Sequence, residues 1–239
     1  MTTIAVDVVG ASFFSTHQAL AADAIAGHLR PLTPPTYPLL VARARRFTSL
    51  VTQMHIEVCG ALPIDAAAPP PSVFATCHGE IQTANMLLAD FRANAMVSSA
   101  RFALSVHNTP SGLYSVATAS TAPSTTVTGS NAIAAGWLEA ALTALDAGGT
   151  VLLSIADEPV PAVFQGPTET AGVAAAFLLA APGSKARSAQ LVMTPASDDA
   201  EVQTVDVLAR AAHAAVGTTP ATIRLGRIQP GHALELRFV

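Results

Sequence analysis

The chain has 239 residues, enough for one large domain with a sizeable buried core. It is 51% apolar, 5% aromatic and 12% charged, with a net charge of −4, and its one basic run is "RARR" at Arg43 to Arg46, which excludes a nucleic-acid surface built on massed cations. No apolar stretch reaches the roughly 18 residues of a membrane span, and Met1 to Gly10 shows no basic-then-apolar leader pattern, so a cytoplasmic chain is expected.

In chain order, "TIAVDVVGAS" from Thr3 reads as a strand, and "THQALAADAIAGHLR" from Thr16 as a helix with Leu20, Ala24, Ile25 and Leu29 on one face. "PLTPPTYP" is an extended loop. "LLVARARRFTSLVTQMHIEVCG" is amphipathic and reads as one helix from Leu39 to Gly60, with Pro38 at its start. After a Pro/Ala-rich connector, "SVFATCHG" is a strand running into a turn at Gly79, and "EIQTANMLLADFRANA" is a helix. "ARFALSVHN" reads as extended, "TPSGLYSVATAS" carries no assignment, and Ser124 to Thr128 is a short β-branched strand entering a helix. "TVLLSIADE", "AGVAAAFLLAAPG", "AQLVMTP", "ATIRLGR" and "HALELRFV" are strands, with "DDAEVQTVDVLARAAHAAVG" a late helix. Such alternation predicts an α/β layered sheet in a single domain.

With mean hydropathy +0.45, the surface retains so much apolar area that another subunit is expected to cover part of it. Cys59 and Cys77 are expected to stay reduced rather than pair, and the scattered histidines suggest no zinc site.

Several short stretches hold groups with chemical potential. Cys77, His78 and Glu80 in "TCHGE" invite a thiol–base reading, yet neighbours on a strand point to opposite faces, which favours a turn with a buried Cys. His107 and Asn108 in "SVHN" stand at the end of the expected extended segment, as site residues or as turn formers. Asp157 and Glu158 in "ADEP" end a buried strand, either as a general acid or, as is commoner, as solvated or capping carboxylates. Gly148 and Gly149 terminate a helix and do not form a phosphate loop.

"APSTTVTGSNAIAAGWLEAALTAL" has the shape of a nucleophile corner: strand, Gly129 at the bend, and a helix whose start is small. Ser130 or Asn131 is expected to cap that helix through its side chain. Ile133, Trp137, Ala141 and Leu145 share one face, while Ala132, Ala135 and Gly136 admit close backbone. With Glu139 and Asp146 its only charges, the helix should be central.

These stretches, with "LTPPTYPLLVARARRFTSLVTQM", "VFATCHGEIQTANMLL", "FALSVHNTPSGLYSVAT" and "VLLSIADEPVP", cover about two thirds of the chain. In order and spacing they resemble the N-terminal half of β-ketoacyl synthases of the thiolase superfamily. The nearest likeness is to the short chain-length-factor proteins of aryl polyene, type II polyketide or fatty acid clusters. The resemblance implies a thiolase-like half-fold, a mixed β-sheet layered between helices, spanning 1–239 with a family-atypical part at 171–239. In active relatives a Cys at the helix N-terminus takes the acyl chain as a thioester. Counting without gaps from Pro123, the equivalent position is Asn131, and the family's C-terminal His and Lys motifs do not appear.

The resemblance therefore implies a noncatalytic subunit that pairs with a full-length β-ketoacyl-ACP synthase and meets acyl carrier protein only indirectly, with no cofactor and no metal. Ser124, Thr125, Thr126, Val127 and Thr128 would lie at the subunit interface. Trp137 would serve core packing or limit the acyl tunnel. The alternatives are a stand-alone decarboxylase or acyltransferase acting through His107 and Asn108, and a homodimeric protein that binds acyl chains or acyl carrier protein.

Overall fold

The computed structural model describes residues 2–16, 38–164, 171–184, 186–196 and 204–239. The helix expected after Thr16, most of the Pro-rich loop and the start of the late helix lie outside them.

Eight strands form one sheet: β1 (Thr3–Ser15), β2 (Ser72–Thr76), β3 (Ser124–Thr128), β4 (Thr150–Asp157), β5 (Val173–Ala180), β6 (Arg187–Pro195), β7 (Ala221–Gln229) and β8 (His232–Phe238). Their order across the sheet is β3-β2-β4-β5-β1-β6-β8-β7. β2 runs parallel to β3 and to β4, and β5 is antiparallel to its neighbours β4 and β1. β6, β8 and β7 then extend the sheet past β1 by antiparallel pairing. The whole is a mixed sheet flanked by helices, as the expected thiolase-like layering requires. β5 carries eight apolar residues, all buried, which is why it occupies the interior of the sheet and not an edge.

Side chains alternate across β4 and β5 into two cores. Val151, Leu153, Ile155, Phe177 and Leu179 face α6 (Ala132–Ala147) and α7 (Thr204–Val216). Leu152, Ala174, Ala176 and Leu178 face α2 (Leu50–Gly60) together with Tyr114 of α5 (Thr109–Thr118). The sheet is thus covered on both faces.

The long helix expected over Leu39 to Gly60 is broken into α1 (Ala42–Arg45) and α2. Ser49 starts α2 anew: its hydroxyl accepts the Thr52 N–H at 3.1 Å, and the Gln53 amide reaches back to the carbonyls of Arg45 and Thr48. A continuous hydrophobic period concealed this cap.

The expected extended segment at 100–108 is instead α4 (Ser99–Ala103) followed by bends, and the unassigned stretch after it is α5. Among the described residues no strand lies outside β3, so 100–108 has no ladder to join there. Ser98 caps α4 by accepting the Arg101 N–H at 3.3 Å. α3 (Ile81–Asn94), α6 and α7 fall where helices were expected, and Gly148 ends α6 in the left-handed conformation at φ +60°. Among the expected inward residues of α6, Leu145 is exposed while Ile133, Trp137 and Ala141 are buried.

Candidate functional site

The parallel strands β3, β2 and β4 end side by side, with Thr76 opposite Thr128 and Ala75 opposite Ile155. Parallel register carries the chain segments that leave them to one end of the sheet, where α/β folds place their sites. There the structure gathers Gly129 to Asn131, Cys77 to Glu80, and Asp157 with Glu158. His107, two residues before α5, joins them, since a Cβ on Gly79 would stand 3.5 Å from the His107 Cβ. Four separate stretches of sequence therefore meet at one place.

At the corner between β3 and α6, Gly129 takes φ +111°, a value side chains rarely adopt. The turn closes through backbone alone: Ala132 N–H donates to the Gly129 carbonyl and Ala135 N–H to the Asn131 carbonyl, both at 2.9 Å. Asn131 occupies the cap position, but its side chain caps nothing and is exposed, as is Ser130. The expected side-chain cap is therefore absent, because the bend already satisfies the helix entry.

Behind the corner α6 is pressed onto the sheet. A Cβ on Gly136 would lie 2.7 Å from the Ala75 Cβ. Trp137 is fully buried, its ring centroid 4.6 Å from that of Phe177. It lies inside the core, beneath the corner.

Asp157 and Glu158 are buried and hydrogen-bonded to backbone N–H groups, so of the commoner expectation the solvated alternative fails, while Glu158 does cap, though at the starts of α2 and α3 and not the next segment. Asp157 Oδ1 accepts from the Thr76 hydroxyl at 2.8 Å and from the N–H groups of Cys77 and His78 at 2.8 and 3.1 Å, tying the turn after β2 to β4. Its Oδ2 has no partner among the described residues. Burial raises the carboxyl above its ordinary pKa, against these donors.

Glu158 spans two helix N-termini, accepting Val51 N–H of α2 at 3.2 Å and Gln82 N–H of α3 at 3.0 Å. Burial pushes it up to about 7, with the charges of Glu80 and Asp157 adding to the effect. Glu80, also raised by burial, accepts hydroxyls from Ser49 at 2.7 Å, Thr52 and Thr83 at 3.0 Å. The side chains that remain outward are His78, His107, Asn108, Ser130 and Asn131.

Cys59 and Cys77 are not joined in a disulfide. Burial pushes the Cys59 thiol up to about 12, so it stays protonated and inert. Cys77 is half-buried against the Trp137 core.

Sequence reading missed the buried pair His55 and Ser154, whose Nδ1 and Oγ lie 2.8 Å apart between α2 and β4. Two other polar residues of α2, Thr52 and Glu57, are buried with His55. The available signal was a helix with hardly a charge on any face. Among the described residues no three His, Cys, Asp or Glu side chains are grouped to hold a metal.

A sheet of this topology, with a glycine-bent corner opening onto a buried helix, defines a thiolase-like chain. The family model described as beta-ketoacyl synthase, N-terminal domain, matches residues 19–224, and the chain belongs to that family. Among solved structures it is similar to a chain from the ketosynthase ApeO in complex with its chain length factor ApeC from Xenorhabdus doucetiae. That match has 18% identity and a TM-score of 0.71, over 98% of this chain and 99% of that one. A chain of the ishigamide ketosynthase/chain length factor matches at 16% identity with a TM-score of 0.59, over 82% of this chain and 68% of that one. At these identities the likeness is one of fold. No curated protein matches. Among the described residues no helix is long and apolar enough to cross a membrane.

Proposed function

We propose that this chain is a noncatalytic, chain-length-factor-like subunit that pairs with a full-length β-ketoacyl-ACP synthase and shapes its acyl tunnel during polyene, polyketide or fatty acyl synthesis. One observation carries the reading. The corner between β3 and α6 has a glycine bend, a buried helix and a tight seat on the sheet, and this reading takes Asn131 at the helix entry as the vacated nucleophile position. An amide has no ionisable proton to lose and forms no acyl thioester.

The surface beside the corner supports pairing. β3 is an edge strand of Ser, Thr and Val without a charge, paired to β2 along its whole length without a bulge. Such an edge is a ready template for a strand from another chain. The opposite edge, β7, has register shifts at Arg224/Gly226 and Arg227/Gln229 that blunt it. The segments next to β3 in sequence expose Met86, Phe91, Met96, Phe102 and Val116, large apolar side chains that a subunit would cover.

In this reading Ser124 to Thr128 adds a strand across the interface, and Trp137, being fully buried, fixes α6 beneath the corner. The ketosynthase partner performs the condensation and receives the acyl carrier protein. The test is co-expression with a full-length ketosynthase from the same gene neighbourhood, followed by size exclusion and intact-mass analysis. Co-elution as a 1:1 pair and condensation only by the pair are expected. A chain that elutes alone, or that turns over malonyl-ACP by itself and loses this in His107→Ala, overturns the proposal in favour of a stand-alone enzyme.

A further inference from the structure

Glu80 and Glu158 lie in the notch where α2, α3 and the end of β4 meet, each only 3% exposed. Every donor that the described residues aim at them is neutral: the hydroxyls of Ser49, Thr52 and Thr83, and the N–H groups of Val51 and Gln82. Glu158 bridges the N-termini of both helices, and Glu80 at the start of α3 accepts from Ser49 and Thr52 at the start of α2, so two carboxyl groups tie the first turn of α3 to α2 and to the end of β4. The Gln82 side chain adds a bond to the Pro159 carbonyl at 2.6 Å. Beyond this notch α3 buries only Thr83 and Leu87, so its attachment to the body depends heavily on its first turn.

We propose that Glu80 and Glu158 are a proton-operated clasp: with one proton on the pair, the first turn of α3 is fixed to α2 and β4, and with that proton gone the first turn of α3 loosens.

The direction follows from the surroundings. Ionisation strengthens each N–H···O contact and suits the positive ends of two helix dipoles. Against this stand burial of the carboxyls, the repulsion between Glu80 and Glu158, and the charge of Asp157 on the other side of Glu158. Burial and repulsion prevail, and Glu158 is pushed up to about 7. The folded state therefore favours the proton: the stabilisation is full below the ordinary Glu value and is lost as pH rises through about 7.

Other titratable or charged groups on the elements that meet here are Asp157 on β4, Cys77 and His78 on the turn after β2, His55, Glu57 and Cys59 on α2, and Arg43, Arg45 and Arg46 at α1. His78 attracts Asp157, while His55 is turned to Ser154. On α3, Asp90 and Arg92 stand more than two turns along the helix. The clasp does not depend on the proposed pairing. Only its consequence does, which is that raised pH frees the segment bearing Met86 and Phe91.

The test is amide hydrogen exchange on the full chain between pH 5 and 9, corrected for intrinsic rates, with the side-chain carboxyl 13C shifts followed over the same range. Protection of Gln82 to Asn85 is expected to fall at least tenfold between pH 6 and 8 while β4 and β5 change less than twofold. Glu158→Gln is expected to flatten the profile, and one Glu carboxyl should titrate near neutrality in the wild type. Equal protection at pH 6 and 8, or every Glu carboxyl titrating below pH 5, overturns the clasp. The wild-type measurements decide even if Glu158→Gln does not fold, and failure here leaves the co-elution test untouched.

Discussion

Gly136 of α6 and Ala75 of β2 touch so closely that a Cβ on Gly136 would stand 2.7 Å from the Ala75 Cβ. This contact seats the helix behind the corner and puts Asn131 where it is. Gly136→Ala is expected to cost about 1–3 kcal/mol through overpacking, read as a lower urea midpoint with an unchanged slope. Adding Ala75→Gly should return much of the loss, because the two methyls compete for one space. A Gly136→Ala protein as stable as the wild type would contradict the seating.

The β3 edge should tolerate charge in the isolated chain and not in a pair. Thr125 is exposed, and Thr125→Lys is expected to change stability by no more than about 0.5 kcal/mol. The same substitution should abolish co-elution with the ketosynthase, since a lysine on an edge opposes strand addition. Arg227→Thr on β7, the bulged edge, should leave co-elution intact. Retained pairing by Thr125→Lys would remove β3 from the interface.

Acid should destabilise the fold through His55. The ring is fully buried, and burial depresses it to about 3 from its ordinary 6.5. A depressed histidine contributes stability that is complete above pH 6.5 and drains away as pH falls toward 3. Between pH 7 and 5 the His55 contribution should fall by about 2 kcal/mol, opposed over the same range by the gain from the Glu80 and Glu158 pair, and His55→Gln should remove the His55 part whatever its baseline stability.

Asp7 enters only in stronger acid. Burial alone would raise it, but the hydroxyls of Ser188 and Ser184 and the Gly183 N–H hold it below 3.8, so its contribution is present above the ordinary Asp value and fades as pH falls below it. Denaturant midpoints at unit intervals from pH 3 to 8 check both. A His55→Gln profile with the same slope between pH 7 and 5 as the wild type would refute the assignment to His55.

No acyl adduct is expected on the chain itself. Incubation with acyl-CoA or acyl-loaded carrier protein should leave the intact mass unchanged, and Cys77→Ser should have no effect on condensation by the pair. A stable acyl mass on Cys77 would mean that the turn after β2 supplies a nucleophile and that the noncatalytic reading is wrong.

The alternation of strands and helices, the edge sequence of β3 and the small-residue entry of α6 are legible in the sequence, because each is a local pattern that its own residues dictate. Periodicity placed β4, β5 and α6 to within a few residues. It merged α1 with α2, because the apolar period runs on through Ser49 while the hydroxyl that ends and restarts the helix is a single residue. It also drew 100–108 as extended, because "RFALSV" is equally compatible with either geometry, and whether a neighbouring strand exists is settled elsewhere in the chain.

What the sequence determined by itself is the supply of chemistry: an amide, Asn131, at the entry of α6, few charges, and a helix fit only for an interior. What the tertiary structure decided is company. Asp157 and Glu158 look like ordinary strand-end carboxylates in one dimension, but parallel register brings the exits of β2 and β4 together. The turn after β2 then takes Asp157, and the N-termini of α2 and α3 take Glu158, inward onto N–H donors. Burial and like charge are properties of distances between remote residues, so the proton affinity of Glu158, and the meeting of Asn131, His107 and Cys77 at one end of the sheet, exist only once the chain has folded.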